Sequence, residues 1–341
     1  MAVCPLLLLA LLVTSPSLAR GSGLHVVRDP SGVGLMLPGR LWLSGDVTLA
    51  GEVLEGQPAT GTIDDLSLLA RWEPLDRFAL FGELRLDDLV EVVEGEGAQT
   101  GGAEFLVERL YAEALLTPEL SLRLGKVYTP FGLWNVISRA PLTWTVERPA
   151  ITENVFPQRA TGLSVLYQTT WQGWSLDATA YGPAQDTITA PSDASQGLLF
   201  GTRVGAGHAL GPTFAALGLN SAGFRDRDSG DWATATGLDL EVFAGGHEVT
   251  GEFTYRVPAS GGTNDRHGLY LQDAFPLFRE LYGVLRFEYL QPPHGSAAVG
   301  QLVGLFWRPV PTVVLKADYF FATRRLQDFE PGFRASFSLL F

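Results

Sequence analysis

The sequence is poor in cysteine and in charge, and it has no long apolar run beyond its first nineteen residues. Its one cysteine, Cys4, excludes a disulfide scaffold and a cysteine-based metal site. Charged residues make up 18% of the 341 residues and hydrophobic residues 46%, which is too apolar for a disordered chain. The net charge of −13 argues against general binding to nucleic acid. No segment after residue 19 approaches the roughly 20 apolar residues that a membrane-spanning helix needs.

The first nineteen residues predict an export signal. The eight residues Leu6–Val13 are all apolar, a run too short to cross a bilayer as a helix. Ser17 and Ala19 then place small residues at the −3 and −1 positions of a cleavage site. Because no Lys or Arg precedes the apolar run, a buried N-terminal helix is the alternative. Cleavage after Ala19 would leave a chain without cysteine, which fits an oxidising compartment.

The remainder of the chain alternates between apolar and polar residues, the pattern of β-strands with two unlike faces. About sixteen such segments can be counted, with fourteen to eighteen possible, and Gly and Ala blur those near residues 203, 218 and 271. All prolines in this part fall between the proposed strands or before the first one, as expected because proline cannot donate to a strand ladder. The approximate centres of the segments are residues 46, 68, 84, 110, 123, 165, 177, 203, 218, 239, 253, 271, 285, 302, 317 and 336.

The connections between these segments alternate in length. Tight turns such as 73–76 and 245–246 follow every second segment, and longer loops such as 94–102 and 183–197 follow the others. An antiparallel up-and-down β-barrel with short turns at one end and longer loops at the other has this alternation. An even number of strands also returns both termini to the end with the short turns.

Three features favour a transmembrane barrel over a soluble β-protein, since alternation alone does not separate the two. An export signal is predicted, and sixteen meandering strands are too many for one soluble sandwich. Aromatic residues also lie near the strand ends, as in the girdles at the two interfaces of a membrane barrel. The aromatic residues on which this argument depends are Trp42, Trp72, Phe78, Trp174, Trp307 and Phe341. The predicted fold is therefore all-β, a transmembrane antiparallel up-and-down barrel.

Three segments resemble outer-membrane barrels of Gram-negative bacteria. The ending Phe333–Phe341 alternates apolar residues up to a terminal Phe, and it resembles the assembly signal of such barrels, carried here by Phe337, Leu339 and Phe341. The segment Gly125–Asn135 (GKVYTPFGLWN) is similar to a segment of porin-like proteins, including the phosphate-selective porin group, that leaves a strand and enters a loop. Thr161–Val165, after Phe156 and Pro157, resembles the strand re-entry of the same group.

This resemblance implies a division of the chain and a role for its longest connection. We expect a signal peptide at 1–19, an N-terminal periplasmic segment at 20–37 and an outer-membrane β-barrel at 38–341. In porins of sixteen strands the third outer loop folds inward and narrows the channel, so residues 129–159 are the expected constriction loop. Its charged residues are three arginines and two glutamates, a net charge of +1, which either set ion preference or are solvated loop charges: Arg139, Glu147, Arg148, Glu153 and Arg159.

Charged residues on one face of the strands are expected to line the lumen. A charge that faces lipid at the bilayer midplane costs roughly 2–4 kcal/mol for Arg or Lys, so these residues require water. Eleven of the expected residues are acidic and seven are basic, which predicts a weak preference for cations. The set comprises Asp46, Glu83, Arg85, Asp87, Glu113, Arg123, Asp177, Arg203, Asp239, Glu241, Glu248, Glu252, Arg256, Arg286, Glu288, Lys316, Asp318 and Arg334. No ladder of basic residues is visible, so phosphate specificity is not expected.

The predicted function is a porin that allows passive diffusion of small hydrophilic solutes or ions. No cofactor, metal or nucleic acid is expected, and the expected partners are outer-membrane lipid, the barrel-assembly machinery through the last strand, and, by analogy with porins, two further copies in a trimer. Asp226, Asp228 and Asp231 form either a solvated acidic loop or a divalent-cation site. No catalytic motif is found, and an enzyme is not expected. The alternatives are a barrel that its loop plugs, an outer-membrane barrel hydrolase, and a soluble secreted β-protein.

Overall fold

A computed structural model describes residues 33–100, 103–184, 195–226, 230–258, 265–292, 295–326 and 329–341. The predicted signal peptide, its cleavage site, most of the 20–37 segment and Asp228 lie outside these residues. None of the helices in the described ranges is long and apolar enough to cross a bilayer. The long strands are β1 (Leu41–Leu54), β2 (Thr60–Leu75), β3 (Phe78–Val93), β4 (Glu104–Leu115), β5 (Leu120–Tyr128), β6 (Arg159–Trp171), β7 (Trp174–Ala184), β8 (Ser195–Leu210), β9 (Thr213–Asp226), β10 (Trp232–Ala244), β11 (His247–Pro258), β12 (Arg266–Phe278), β13 (Leu281–Gln291), β14 (Ala298–Val310), β15 (Val313–Ala322) and β16 (Gly332–Leu340).

The sixteen strands form one closed antiparallel barrel. Each strand pairs with the next along the chain, and β16 closes the sheet by pairing with β1, with Ser336 opposite Ala50. Two further strands of three residues pair with the barrel strands: Leu35–Leu37 pairs with β1, and Gly97–Gln99 pairs with β3. The prediction of sixteen strands is confirmed, and every predicted centre lies within a strand, including the three that Gly and Ala blur.

The connections alternate between short turns and longer loops, as the sequence predicts. Seven turns of two to four residues join the strands at one end, the short-turn end, and loops of five to thirty residues join them at the other, the long-loop end. Gly245 and Gly246 form one of the two-residue turns with φ angles of 61° and 91°. Both angles are positive, as a type I′ hairpin turn requires, and glycine adopts them without strain.

Five prolines lie inside strands, so the prediction that all of them fall between strands is wrong. They occupy the last three residues of their strands, where the chain is leaving the ladder and a missing N–H costs little. The pairing is irregular at four of these places: between Trp72 and Leu75, between Tyr181 and Ala184, between Pro276 and Phe278, and between Trp307 and Val310. The five residues are Pro74, Pro183, Pro258, Pro276 and Pro309.

The two faces of the barrel have opposite chemistry. Large apolar side chains on the outer face are exposed, for example Leu124 and Leu219, each 64% exposed. Charged side chains on the inner face are buried, for example Glu83 and Lys316. A soluble β-protein has the opposite arrangement, with apolar side chains inside and charged side chains outside. The soluble alternative is therefore excluded, because apolar side chains on the outer face are stable against lipid and not against water.

Four of the six aromatic residues expected in girdles are exposed at the short-turn end. Trp72, Trp174, Trp307 and Phe341 are each at least 44% exposed. Trp42 differs, because it packs against an inner cluster that comprises Leu69, Phe81, Tyr111 and Val127. Trp42 is two strand positions from the inward Ser44 and therefore shares its face. Phe337 and Leu339 face outward with Phe341 on the closing strand.

Two leucines on the outer face give a direct test of this orientation. Leu219 lies in the middle of β9 and Leu210 at the short-turn end of β8, and each is 64% exposed. We expect Leu219→Arg to lower the free energy of unfolding by about 2–4 kcal/mol and Leu210→Arg by about 0–1 kcal/mol, because the cost of a lipid-facing charge falls toward the interface. Urea unfolding in lipid vesicles measures both, and equal costs would contradict a membrane-facing outer surface.

Candidate functional site

The longest connection, residues 129–158 between β5 and β6, folds into the barrel. It contains a short 3₁₀ turn at Ala140–Leu142 and one short helix, α1 (Ala150–Asn154). Phe131, Trp144 and Ile151 are at most 2% exposed and pack with inward side chains of the surrounding strands. We call residues 129–158 the inner loop. The sequence predicts both its position and its inward fold.

The entry of the inner loop is built by the segment that resembles porin-like proteins. The Asn135 side chain donates from Nδ2 to the carbonyl oxygens of Thr129 (2.7 Å) and Gln158 (2.9 Å), and so ties the two ends of the loop together. The Phe131 ring stacks on Phe156 with a centroid distance of 4.3 Å. It also lies against Gly237 of β10, where a Cβ would be 2.9 Å from the ring. This segment therefore fixes where the loop turns into the lumen.

A wall carboxylate holds the next part of the loop. Glu252 of β11 accepts from the backbone N–H groups of Leu133 (3.0 Å) and Trp134 (3.2 Å) at Oε1. Gly132 has a φ of 71°, and a Cβ there would lie 2.0 Å from Glu252 Oε2, so the approach depends on glycine. Successive N–H groups on one carboxylate form an anion-binding concavity, occupied here by the wall.

Two further wall carboxylates bind loop backbone in the same way. Glu288 of β13 accepts from Ala150 N at 2.9 Å, and Asp318 of β15 accepts from Val146 N at 2.8 Å. Hydrogen bonds to an ionised acceptor are roughly twice as strong as neutral ones, so these contacts hold the loop firmly. Both carboxylates are at most 3% exposed. Asp318 therefore directs its charge at the loop backbone. Glu288 shares its charge between the loop backbone and Arg286, whose Nε lies 2.6 Å from Glu288 Oε1.

Wall cations bind the loop carbonyls. Arg286 of β13 donates from Nη1 to Thr145 Oγ1 at 2.6 Å and to the Glu147 carbonyl at 3.0 Å. Lys316 of β15 donates to the carbonyls of Ala140 and Thr145, the latter at 2.9 Å. Wall carboxylates thus bind loop N–H groups, and wall cations bind loop carbonyls. Because these contacts use the backbone, they hold the loop in place without charged side chains on the loop itself.

The charged loop residues predicted from the sequence have different surroundings. Arg139 binds Asp46 of β1, with a contact of 2.6 Å from Nε, and their side chains are 3% and 0% exposed. Glu147 pairs with Arg334 of β16 at 2.8 Å and keeps 47% of its side chain exposed. Arg148 donates to the Trp134 carbonyl at 3.4 Å. The side chain of Glu153 lies outside the described structure.

Arg159 is the first residue of β6 and so belongs to the wall. Its guanidinium makes a two-pronged contact with Glu108 of β4, Nε to Oε2 at 2.6 Å and Nη2 to Oε1 at 2.8 Å. Arg85 of β3 lies 3.1 Å from the same carboxylate. A planar guanidinium matches a carboxylate in this geometry, which makes the pair rigid as well as strong.

The wall from β2 to β8 carries charges that the inner loop leaves partly exposed. Arg85, Arg123 and Arg203 have side chains 18–20% exposed, and Asp87 and Asp177 are 21% and 32% exposed. Each of these arginines pairs with a carboxylate of the same wall. We call this surface the free wall, because its polar groups border the space that the loop does not fill.

The structure places the expected lumen residues on the inner face. Eight of them contact the inner loop: Glu252, Glu288, Asp318, Arg286, Lys316 and Arg334 as described above, Asp46 through Arg139, and Glu248 through the Trp144 indole. The others lie among inward neighbours, including Glu83 beside Arg109, Glu113 beside Arg123, Asp239 beside Arg203, and Glu241. Their contribution to ion selection stays a prediction.

The sequence reasoning missed Glu108 and Arg109, which both face inward. The pairing of β3 with β4 shifts by one residue between Glu83 and Leu84, so two consecutive residues of β4 share one face. Arg109 binds Glu83 and lies over the Phe81 ring at 4.7 Å. A bulge breaks the period of two, and two adjacent charges in an otherwise alternating strand were its only sign.

No metal-binding group of three His, Cys, Asp or Glu residues exists among the described residues. No family model and no curated protein matches the chain. Several solved structures have the same fold. The outer-membrane-expressed OmpT of Vibrio cholerae aligns with a TM-score of 0.60 and 13% identity over 91% of this chain and all of that one. An anion-selective porin from Comamonas acidovorans gives 0.57 and 16% over 88% and 99%.

A third solved structure, the outer membrane channel DcaP of Acinetobacter baumannii, aligns with a TM-score of 0.58 and 12% identity over 91% of this chain and all of that one. At these identities the comparison shows the fold alone. The chain therefore has a porin-like barrel, and nothing in these likenesses singles out the phosphate-selective group.

Proposed function

We propose that the protein is an outer-membrane porin that lets small hydrophilic solutes and ions diffuse passively through its barrel, with a weak preference for cations. The observation that carries the proposal is the free wall. Its arginines and aspartates are partly exposed on the inner face of a barrel whose outer face is apolar. Charged groups at membrane depth need water, so a polar passage beside the inner loop is the arrangement that fits them.

A barrel plugged by the inner loop is the second candidate. The many hydrogen bonds between the loop and β9–β16 favour it, because a firmly held loop inside a barrel can block passage as well as narrow it. The exposed side chains of Asp177 and Glu147, 32% and 47%, favour the open channel. Swelling of proteoliposomes in isosmotic sugar solutions separates the two. Faster swelling with arabinose than with a trisaccharide supports the porin, and no swelling with either supports the plug.

The proposed cation preference follows from which charges remain exposed. The carboxylates Glu52, Asp177 and Glu147 have side chains 32–47% exposed, whereas the free-wall arginines are no more than 20% exposed. Permeant ions respond to the charges they approach most closely. The excess of exposed carboxylate should therefore outweigh the arginines, but only weakly, since both signs are present.

Glu147→Gln tests this assignment. Removal of the carboxylate leaves Arg334 with the more distant Glu52 at 3.6 Å, so the local charge becomes more positive. We expect the cation-to-anion permeability ratio to fall roughly twofold. The reversal potential under a KCl gradient measures the ratio, and Glu119→Gln, in an exposed turn, serves as the matched control. An unchanged ratio would show that Glu147 does not face the ion path.

Phosphate specificity is not proposed, although Gly125–Asn135 resembles the phosphate-selective group. A site that selects phosphate presents unpaired guanidinium or ammonium donors to it. Arg85, Arg123 and Arg203 are each paired with a carboxylate. The resemblance therefore concerns how the chain enters the inner loop, and we infer no phosphate specificity from it.

We further propose that the barrel lies in the outer membrane, with the short turns on the periplasmic side. We also propose that the assembly machinery recognises Phe337 and Leu339 of β16 together with Phe341, which follows that strand. A homotrimer is proposed by analogy with porins.

Catalysis is not proposed. His247 and Asp273 are paired at 3.0 Å, but both are at least a third exposed at the short-turn end, and no serine in the part of the chain that the structure describes is hydrogen-bonded to that ring.

A further inference from the structure

A cavity of about 220 Å³ lies inside the barrel, beneath the inner loop. Leu133, Trp134 and Ile137 of the loop cover it, and inward residues of β6 to β11 form its walls. The wall residues lie near the short turns, for example Phe214 at the start of β9 and Glu248 at the start of β11. The cavity is thus separate from the Glu147–Arg334 pair on the other side of the loop.

The charge of the cavity is negative and incompletely paired. Among the described residues of its lining Arg203 is the one cation, and it is bound by Asp177 at 2.6 Å and Asp239 at 2.9 Å. Glu248 accepts from the Trp144 indole at 2.8 Å, a donor without charge. Glu241 makes no hydrogen bond and no ion pair with any described residue. Glu241 and Glu248 lie on neighbouring strands, so two carboxylates that form no ion pair with a described residue face one space.

A buried polar group of the cavity lining lacks a hydrogen-bond partner among the described residues. Trp134 is 3% exposed, and its indole Nε1 has no hydrogen-bond acceptor among the described residues. A buried donor left unsatisfied costs free energy, so such groups indicate a ligand with an acceptor of its own.

The rest of the lining is apolar and aromatic. Phe214, Phe243, Trp134 and Ile137 contribute side chains to the cavity. A hydrated inorganic cation would gain nothing from these groups. An organic cation would gain from them, because aromatic faces attract ammonium groups and apolar walls bind a hydrocarbon body. The volume fits a molecule smaller than most drugs.

We propose that this cavity is a binding site for small organic ammonium compounds on their way through the lumen. The ammonium group binds between Glu241 and Glu248, the hydrocarbon part lies against Phe214 and Phe243, and a hydroxyl or carbonyl of the ligand accepts from Trp134 Nε1. The site deepens the proposed function and rests on it, since a solute reaches the cavity through the barrel. It makes aliphatic and aromatic amines a preferred class of solute.

Calorimetric titration of the detergent-solubilised full chain tests the site. The probes are phenethylammonium, its neutral analogue 2-phenylethanol and the anion phenylacetate. We expect saturable binding of phenethylammonium alone, and we expect Glu241→Gln to weaken it roughly tenfold or more because the ion contact is lost. Glu91→Gln, an exposed carboxylate of β3 outside the cavity, is the matched control and should bind as the unaltered protein does.

Two results would overturn the assignment: equal binding of the ammonium compound and its neutral analogue by the unaltered protein, or undiminished binding by Glu241→Gln. The first comparison needs no variant and so does not depend on folding. KCl conductance of the same preparation separates this inference from the proposed function. Conductance without ammonium binding refutes the cavity site and leaves the porin. Binding without conductance retains the site and refutes the open channel.

Discussion

Replacing Gly132–Val155 by a four-residue Gly/Ser linker is expected to raise the single-channel conductance roughly two- to fivefold, because it would remove the constriction that we propose for the inner loop. The cut is geometrically feasible, since the rings of Phe131 and Phe156 at its two edges stack at 4.3 Å. Planar-bilayer recording measures the effect. Heat-modifiable mobility on gels shows that the variant still forms a barrel.

The same variant should shift ion preference. Removal of the inner loop frees the carboxylates Glu252, Glu288 and Asp318 from the loop backbone. It also frees the cations Arg286 and Lys316, so more carboxylates than cations face the widened lumen. We expect the reversal potential to move further toward cation preference. Substitution of the loop 55–59 by Gly and Ser at equal length is the control, because it leaves the inner loop in place. An unchanged conductance in the deletion would show that the inner loop does not border the ion path.

The second large effect is expected for Arg139→Ala. It leaves Asp46 buried, at 0% exposure, without the guanidinium that binds it. Loss of one partner from a buried ion pair typically costs about 3–5 kcal/mol. We therefore expect a lower midpoint of thermal unfolding and faster cleavage of the inner loop by added protease. The channel should also become noisier, because this part of the inner loop is released from β1.

Arg40→Ala is the matched control, since Arg40 also pairs with an aspartate, Asp76, at 2.8 Å. That pair is at the surface, with side chains 47% and 86% exposed. Exposed pairs contribute about 0–1 kcal/mol, so the control should hardly change the midpoint. Equal effects of the two substitutions would contradict the view that Arg139 fastens the loop from a buried position.

The barrel could be predicted from the sequence because lipid outside and polar groups inside impose a period of two on every strand. That period survives even near residues 203, 218 and 271, where small residues blur it. It fails where geometry departs from a regular strand. The bulge of β4 turns both Glu108 and Arg109 inward, and the last residues of strands admit prolines because the ladder ends there. Trp42 was misassigned because an aromatic residue near a strand end can belong to either face.

The candidate site was only partly predictable. The sequence locates the inner loop and the inward charges, since length and alternation reveal both. It does not reveal the partners, because Glu252, Glu288 and Asp318 bind backbone N–H groups, which every residue but proline carries. The cavity near Glu241 could not be predicted from the sequence either. Six strands and the loop create it together, and no local pattern marks the position.

The proposed porin function requires a polar passage that stays open between the inner loop and the free wall. The most direct test is the current carried by the unaltered protein in a planar bilayer under a KCl gradient. We expect stable single-channel steps and a reversal potential whose sign shows weak cation preference. Insertion of folded barrels that carry no current would contradict it and would show that the inner loop closes the barrel.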